Sequence, residues 1–123
     1  MWTLGTPLCV QTVIMTESEF LELAGAVLDA IESQADDWAA KFDLDIESVR
    51  SGNVLTLTFE DGVQVVINTQ AAMQEIWVAA RSGGFHYRYD GRIWADTRGG
   101  PHLAEALSQI CSEAAGQPLT VQL

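Results

Sequence analysis

Apolar residues recur at two different periods along this chain, helical at both ends and alternating in between. Phe20, Leu23, Ala24, Val27, Leu28, Ile31, Ala35 and Trp38 make one stripe at helical spacing. Thr16 and Glu19 have the spacing of a capping box, in which each side chain satisfies a backbone amide at the helix start. The pattern therefore predicts a long first helix from Glu17 to near Ala40, with Glu22, Asp29, Glu32 and Asp36 on its outer side and Asp37 on one flank. Leu44 and Ile46 then alternate with Asp43, Asp45 and Glu47, which predicts a first strand with its carboxylates facing out.

Ser51-Gly52-Asn53 is turn chemistry. Leu55, Leu57 and Phe59 face inward on the next strand, and Glu60-Asp61-Gly62 is a hairpin signal. Val63, Val65 and Ile67 follow inward, with Gln64, Val66 and Asn68 outward, and Thr69 to Ala72 form a connection. In the strand from Glu75 to Ala80, Ile76, Val78 and Ala80 pack inward and Trp77 stands on the open face beside Glu75. After a turn at Arg81 to Gly84, Phe85, Tyr87 and Tyr89 point inward while His86 and Arg88 point out. Asp90-Gly91 turns the chain into a last short strand around Trp94. Arg98 to Pro101 breaks the sheet, and Pro101 suits the first turn of a second helix. That helix carries Leu103, Leu107, Ile110, Cys111 and Ala114 on its apolar face and ends at Gly116. The predicted fold is α+β, a two-layer sandwich in the order α-β-β-β-β-β-β-α. Two helices cover one face of a six-stranded, mostly antiparallel sheet.

Composition sharpens this. The chain has 123 residues, 48% of them hydrophobic, which is one ordinary domain. Residues 15–123 read as that domain, and residues 1–14 as an N-terminal extension with Met15 an alternative start. The net charge is −11 and unevenly spread: residues 1–61 hold twelve carboxylates against two cations, residues 62–123 five against four. Such a balance argues against nucleic acid and against an anionic membrane surface, and favours cations or a basic protein patch. A solvated acidic face without a role is the bland alternative.

Cys9 and Cys111 read as free thiols of a reducing compartment, one in the tail and one on the second helix. No apolar run reaches the roughly 18 residues of a membrane span, and the opening residues lack the charged start of a signal peptide. The expected location is a bacterial cytoplasm.

Several motifs now fall in order: Ser18-Glu19-Phe20, Asp36-Asp37-Trp38, Val54 to Gly62, Ile67-Asn68 with Gln70, Ile76 to Ala79, Gly83 to Tyr87, and Trp94 before Asp96. Together they resemble the frataxin family, in its bacterial CyaY branch, from Met15 to the C-terminus. The resemblance implies an iron-binding protein of iron–sulfur cluster assembly, an iron donor or an iron-dependent regulator of the cysteine desulfurase and its scaffold protein. It implies a monomer in the absence of iron. The family's iron ridge carries over to Glu32, Asp36, Asp37, Asp43 and Asp45, while Ser33, Ala39 and Lys41 stand where relatives often carry further carboxylates. The family's partner-facing sheet surface carries over to Asn68, Gln70, Trp77 and His86, with Thr69 in place of a common basic residue.

The residues themselves fit that chemistry in outline. Carboxylates are hard ligands suited to Fe²⁺, Fe³⁺, Mn²⁺, Ca²⁺ or Mg²⁺. Glu32 and Asp36, four apart, can share an ion, whereas adjacent Asp36 and Asp37 diverge. The expectation is shallow, exposed sites that bind iron weakly. Trp77 is the natural interface anchor, since Trp is enriched among binding hot spots. His86 reads as a surface histidine beside Arg88, and His102 has no evident role. No nucleophile–base pair or nucleotide fingerprint is present, so the chain reads as a binding protein. The alternatives are a ferroxidase or iron-storage protein, or a metal-independent acidic adaptor for a basic partner.

Overall fold

Thr16 begins the first helix as its spacing predicts. In the computed structural model, which describes residues 14–123, the Thr16 hydroxyl accepts from the Glu19 amide at 3.1 Å and the Glu19 carboxylate accepts from the Thr16 amide at 2.8 Å. Helix α1 then runs Glu17–Phe42, slightly past the expected end at Ala40. It stops because Asp43 takes a left-handed conformation, φ 53°, which a short polar side chain tolerates better than most. The first strand starts later than alternation predicts. β1 is Glu47–Ser51, and Asp43 to Ile46 form the connection to it.

The remaining strands are β2 (Val54–Thr58), β3 (Gln64–Gln70), β4 (Glu75–Ala80), β5 (Gly83–Tyr89) and β6 (Trp94–Asp96). All neighbours are antiparallel and lie in chain order β1 to β6, so every connection is a local turn. β3 extends through Thr69 and Gln70, which the sequence reading places in a connection. Thr69 is buried, and its amide donates to the Asn53 carbonyl at 3.0 Å. Helix α2 spans Leu103–Ala115, with Gly116 at its C-cap in the left-handed conformation, φ 72°. Pro101 lies just ahead of this helix rather than in its first turn. The N-cap is His102, whose Nδ1 accepts from the Glu105 amide at 3.1 Å.

Both helices pack on one sheet face. Phe20, Leu28 and Ile31 of α1, and Leu103, Leu107 and Cys111 of α2, meet Leu55, Leu57, Val65, Ile67, Ile76, Val78 and Tyr87 of the sheet. Each fully buried Leu, Ile or Phe contributes about 2 kcal/mol of transfer free energy. Trp38 and Trp94 are also buried. Trp94 points inward, edge-on to Phe20 at 6.0 Å and tilted against Tyr89 at 5.3 Å. Past Gly116 the tail buries Leu119 and Val121, and polar side chains stitch it to both helices. Ser112 Oγ donates to the Leu119 carbonyl and accepts from its amide, Ser108 Oγ accepts from Val121, and the Gln34 amide bonds both backbone groups of Gln122. Among the described residues, no helix lies over the opposite sheet face.

Candidate functional site

Two surfaces carry the predicted site residues. The first is the corner where α1 ends and β1 begins. On β1, Ser48 and Arg50 sit opposite Leu57 and Leu55, on the side of the sheet that α1 covers. An edge strand with polar residues at these positions meets the acidic flank of the helix. Arg50 Nη1 lies 2.8 Å from Asp29 Oδ1 and 3.7 Å from Glu32 Oε1, while its Nε donates to the Gly52 carbonyl at 3.0 Å. Ser48 Oγ donates to Asp36 Oδ1 at 3.3 Å. Glu32 and Asp36 are thus each turned toward β1. Asp37 is exposed on the last turns of α1, and Asp43 and Asp45 are exposed in the connection, not on the outward face of a first strand as alternation predicts.

Among the described residues, no group of three or more His, Cys, Asp or Glu side chains stands close enough to hold a metal ion. The five predicted metal residues share one corner of the molecule without converging on one point. Chemically, that corner can concentrate cations and lend one or two oxygens to each. The rest of an octahedral shell must come from water or a partner.

The second surface is the uncovered sheet face. Asn68, Trp77 and His86 are directly opposed on β3, β4 and β5 and form one cross-strand row. Gln70 belongs to the adjacent row, opposite Glu75, which in turn opposes Arg88. The indole of Trp77 stacks on the His86 imidazole, with ring centroids 4.3 Å apart and planes 8° from parallel. Glu75 lies at the centre. Its Oε1 accepts from Trp77 Nε1 at 2.8 Å and sits 3.5 Å from His86 Nδ1, and its Oε2 accepts from Arg88 Nη2 at 2.6 Å. On an uncovered face this carboxylate is nonetheless only 5% exposed. Asn68 is fixed from the other side, its Oδ1 accepting from Asn53 Nδ2 at 3.3 Å.

A family model described as a frataxin-like domain matches residues 13–117. The chain belongs to the frataxin-like family. It is similar to the iron-sulfur cluster assembly protein CyaY of Bordetella pertussis, 76% identical over 109 residues, which covers 89% of this chain and all of that one. It is also similar to the CyaY of Cupriavidus necator, 54% identical over 107 residues, with 87% and 96% covered. Among solved structures, frataxin from Psychromonas ingrahamii superimposes with a TM-score of 0.78 at 28% identity, covering 89% of this chain and 100% of that one. A trimeric frataxin from Saccharomyces cerevisiae, described as complexed with ferrous iron, gives 0.61 at 23% identity, covering 89% and 94%. At that identity the likeness shows the fold alone.

The frataxin-like frame makes clear what sequence reasoning missed. Arg50, Ser48 and Glu75 organise the two surfaces, and none was singled out. Arg50 is given no face, and Glu75 is a long charged residue on a predicted open face, where solvent is the default partner. The one available signal was cross-strand: Glu75 lies opposite Arg88 only once the β4–β5 register is known.

Proposed function

We propose that this protein carries iron loosely at the α1–β1 corner and uses that corner, with the Trp77 face, to engage the cysteine desulfurase and scaffold of iron–sulfur cluster assembly, adjusting their rate with iron supply. The relatives named as iron-sulfur cluster assembly proteins support the pathway. The exposed carboxylates of that corner, hard oxygen ligands, support a cation such as iron as the cargo. One observation carries the division of labour. Asp37, Asp43 and Asp45 are exposed and hold no ion pair among the described residues, whereas Asp29 and Glu32 are paired with Arg50 and Glu75 with Arg88. The unpaired carboxylates form the part of the ridge open to cations or to a basic partner.

An anaerobic NMR titration with Fe²⁺, followed by cysteine desulfurase, tests this. Paramagnetic broadening should centre on Asp37, Asp43 and Asp45, and the desulfurase should then shift the same corner and the residues around Trp77. Broadening spread evenly over all surface carboxylates would sink the iron site. A second reading is favoured by the failure of any three carboxylates among the described residues to converge: the corner is an electrostatic adaptor alone. In that case D43N/D45N weakens desulfurase binding and Fe²⁺ does not compete with it.

A further inference from the structure

Glu75 is a carboxylate taken almost out of water on the sheet face that no helix among the described residues covers. Burying a charge is unfavourable unless its oxygens are fully matched. Here they are: Arg88 donates to one oxygen, and Trp77 donates to the other with His86 beside it. Charge-assisted bonds of this kind are short and directional. The indole is therefore held twice, at its nitrogen by Glu75 and on one face by the parallel His86 ring.

We infer that Glu75 is a positioning residue that fixes Trp77 in the orientation a partner protein meets. The inference rests on the reading of this face as a partner surface. Two consequences follow from the geometry. A side chain already immobilised loses little further freedom on association, so docking is favoured. The indole N–H is also already engaged, so the partner recognises Trp77 through its carbon edge and its π-face. The complementary group is then an apolar side chain or an arginine guanidinium, which stacks well on indole, rather than a hydrogen-bond acceptor.

The test is a double-mutant cycle in the full chain, reading affinity for purified cysteine desulfurase and the indole ¹⁵N–¹H resonance of Trp77. W77A should weaken binding by at least about thirtyfold, the size of an interface hot spot. E75A should move the indole resonance and weaken binding by about tenfold, with the backbone resonances of β1 to β3 unchanged. The double variant should bind no more weakly than W77A alone, because Glu75 acts through Trp77; a purely structural role gives additive losses instead. E75Q keeps an oxygen for the indole and should fall between wild type and E75A, and it carries the test if E75A does not fold. Loss in W77A with none in E75A or E75Q overturns the positioning role alone. Unchanged affinity in W77A overturns the partner reading and this inference with it.

Discussion

Tyr87 and Cys111 show how the core acts on single ionisable groups. Burial pushes the Cys111 thiol from 9.0 up to about 12. Burial first, and then the nearby Asp96 charge, pushes the Tyr87 hydroxyl from 10.0 up to about 12. Both are acids that the folded state keeps protonated longer than the unfolded chain does. Their contribution to stability is complete below about pH 9 and fades as pH rises toward 12. The melting midpoint should therefore fall across that window, and less steeply in Y87F/C111A, as a calorimetric series would read. A shift from 9.0 to about 12 also lowers the thiolate fraction roughly a thousandfold. Site-resolved mass spectrometry at pH 8 should accordingly find Cys111 alkylated at least a hundredfold more slowly in the native protein than in denaturant. Equal rates would mean that the α2 face opens readily. The inward placement of Tyr87 was legible from alternation alone, as was the outward placement of Trp77. The burial of Glu75 was not, because it depends on which side chains from β4 and β5 gather around it.

At the scale of elements, the sequence was most informative where a local signal decides the outcome. The capping box at Thr16, the left-handed Gly116 and the strand alternation from Leu55 to Tyr89 all act within a few residues. It misled at β1, and the reason is physical. The core-side positions of that edge strand are Ser48 and Arg50, which carry no apolar signature, while half-buried Leu44 and Ile46 imitate a strand in the preceding connection. Asp43 and Asp45 were thereby assigned to the outward face of a strand. Arg50→Ala tests the tie between β1 and α1. Asp29 is largely exposed, so the loss should be small, about 0.5 kcal/mol, yet Glu32 should then broaden more strongly on Fe²⁺ addition because its own cation is gone. Unaltered broadening at Glu32 would show that Arg50 does not compete for that carboxylate. The other element worth changing is the α2 start. Histidine is a poor substitute for Asp, Asn or Ser at an N-cap, so His102→Asp should stabilise the protein by about 1 kcal/mol, or about 4 °C in melting midpoint. A midpoint no higher than that of the wild type would mean that the histidine ring contributes packing which the shorter cap loses.

Across the whole molecule the chain-order sheet divides the charges. Most of the excess negative charge lies in the first 61 residues, and among the described residues only Arg50 of their two cations pairs with it, through Asp29 and Glu32. The frataxin-like fold anchors α1 through its apolar stripe, so the outer carboxylates at the α1–β1 corner are held near one another whether or not a cation is present. Self-repulsion of this kind destabilises the compact state. It is screened over about 10 Å at 0.1 M salt. The same clustering that would attract cations to the corner therefore makes the protein less stable than its core alone would allow. Raising NaCl from about 0.01 M to about 0.3 M should lift the melting midpoint by several degrees. At fixed ionic strength, anaerobic Fe²⁺ should add a further rise. D43N/D45N should start higher at low salt and lose most of the response to both. If instead the midpoint ignores salt while Fe²⁺ still raises it, iron acts through a defined chelate assembled on binding. A midpoint indifferent to both would mean that the acidic corner is fully solvated and plays no part in holding cations.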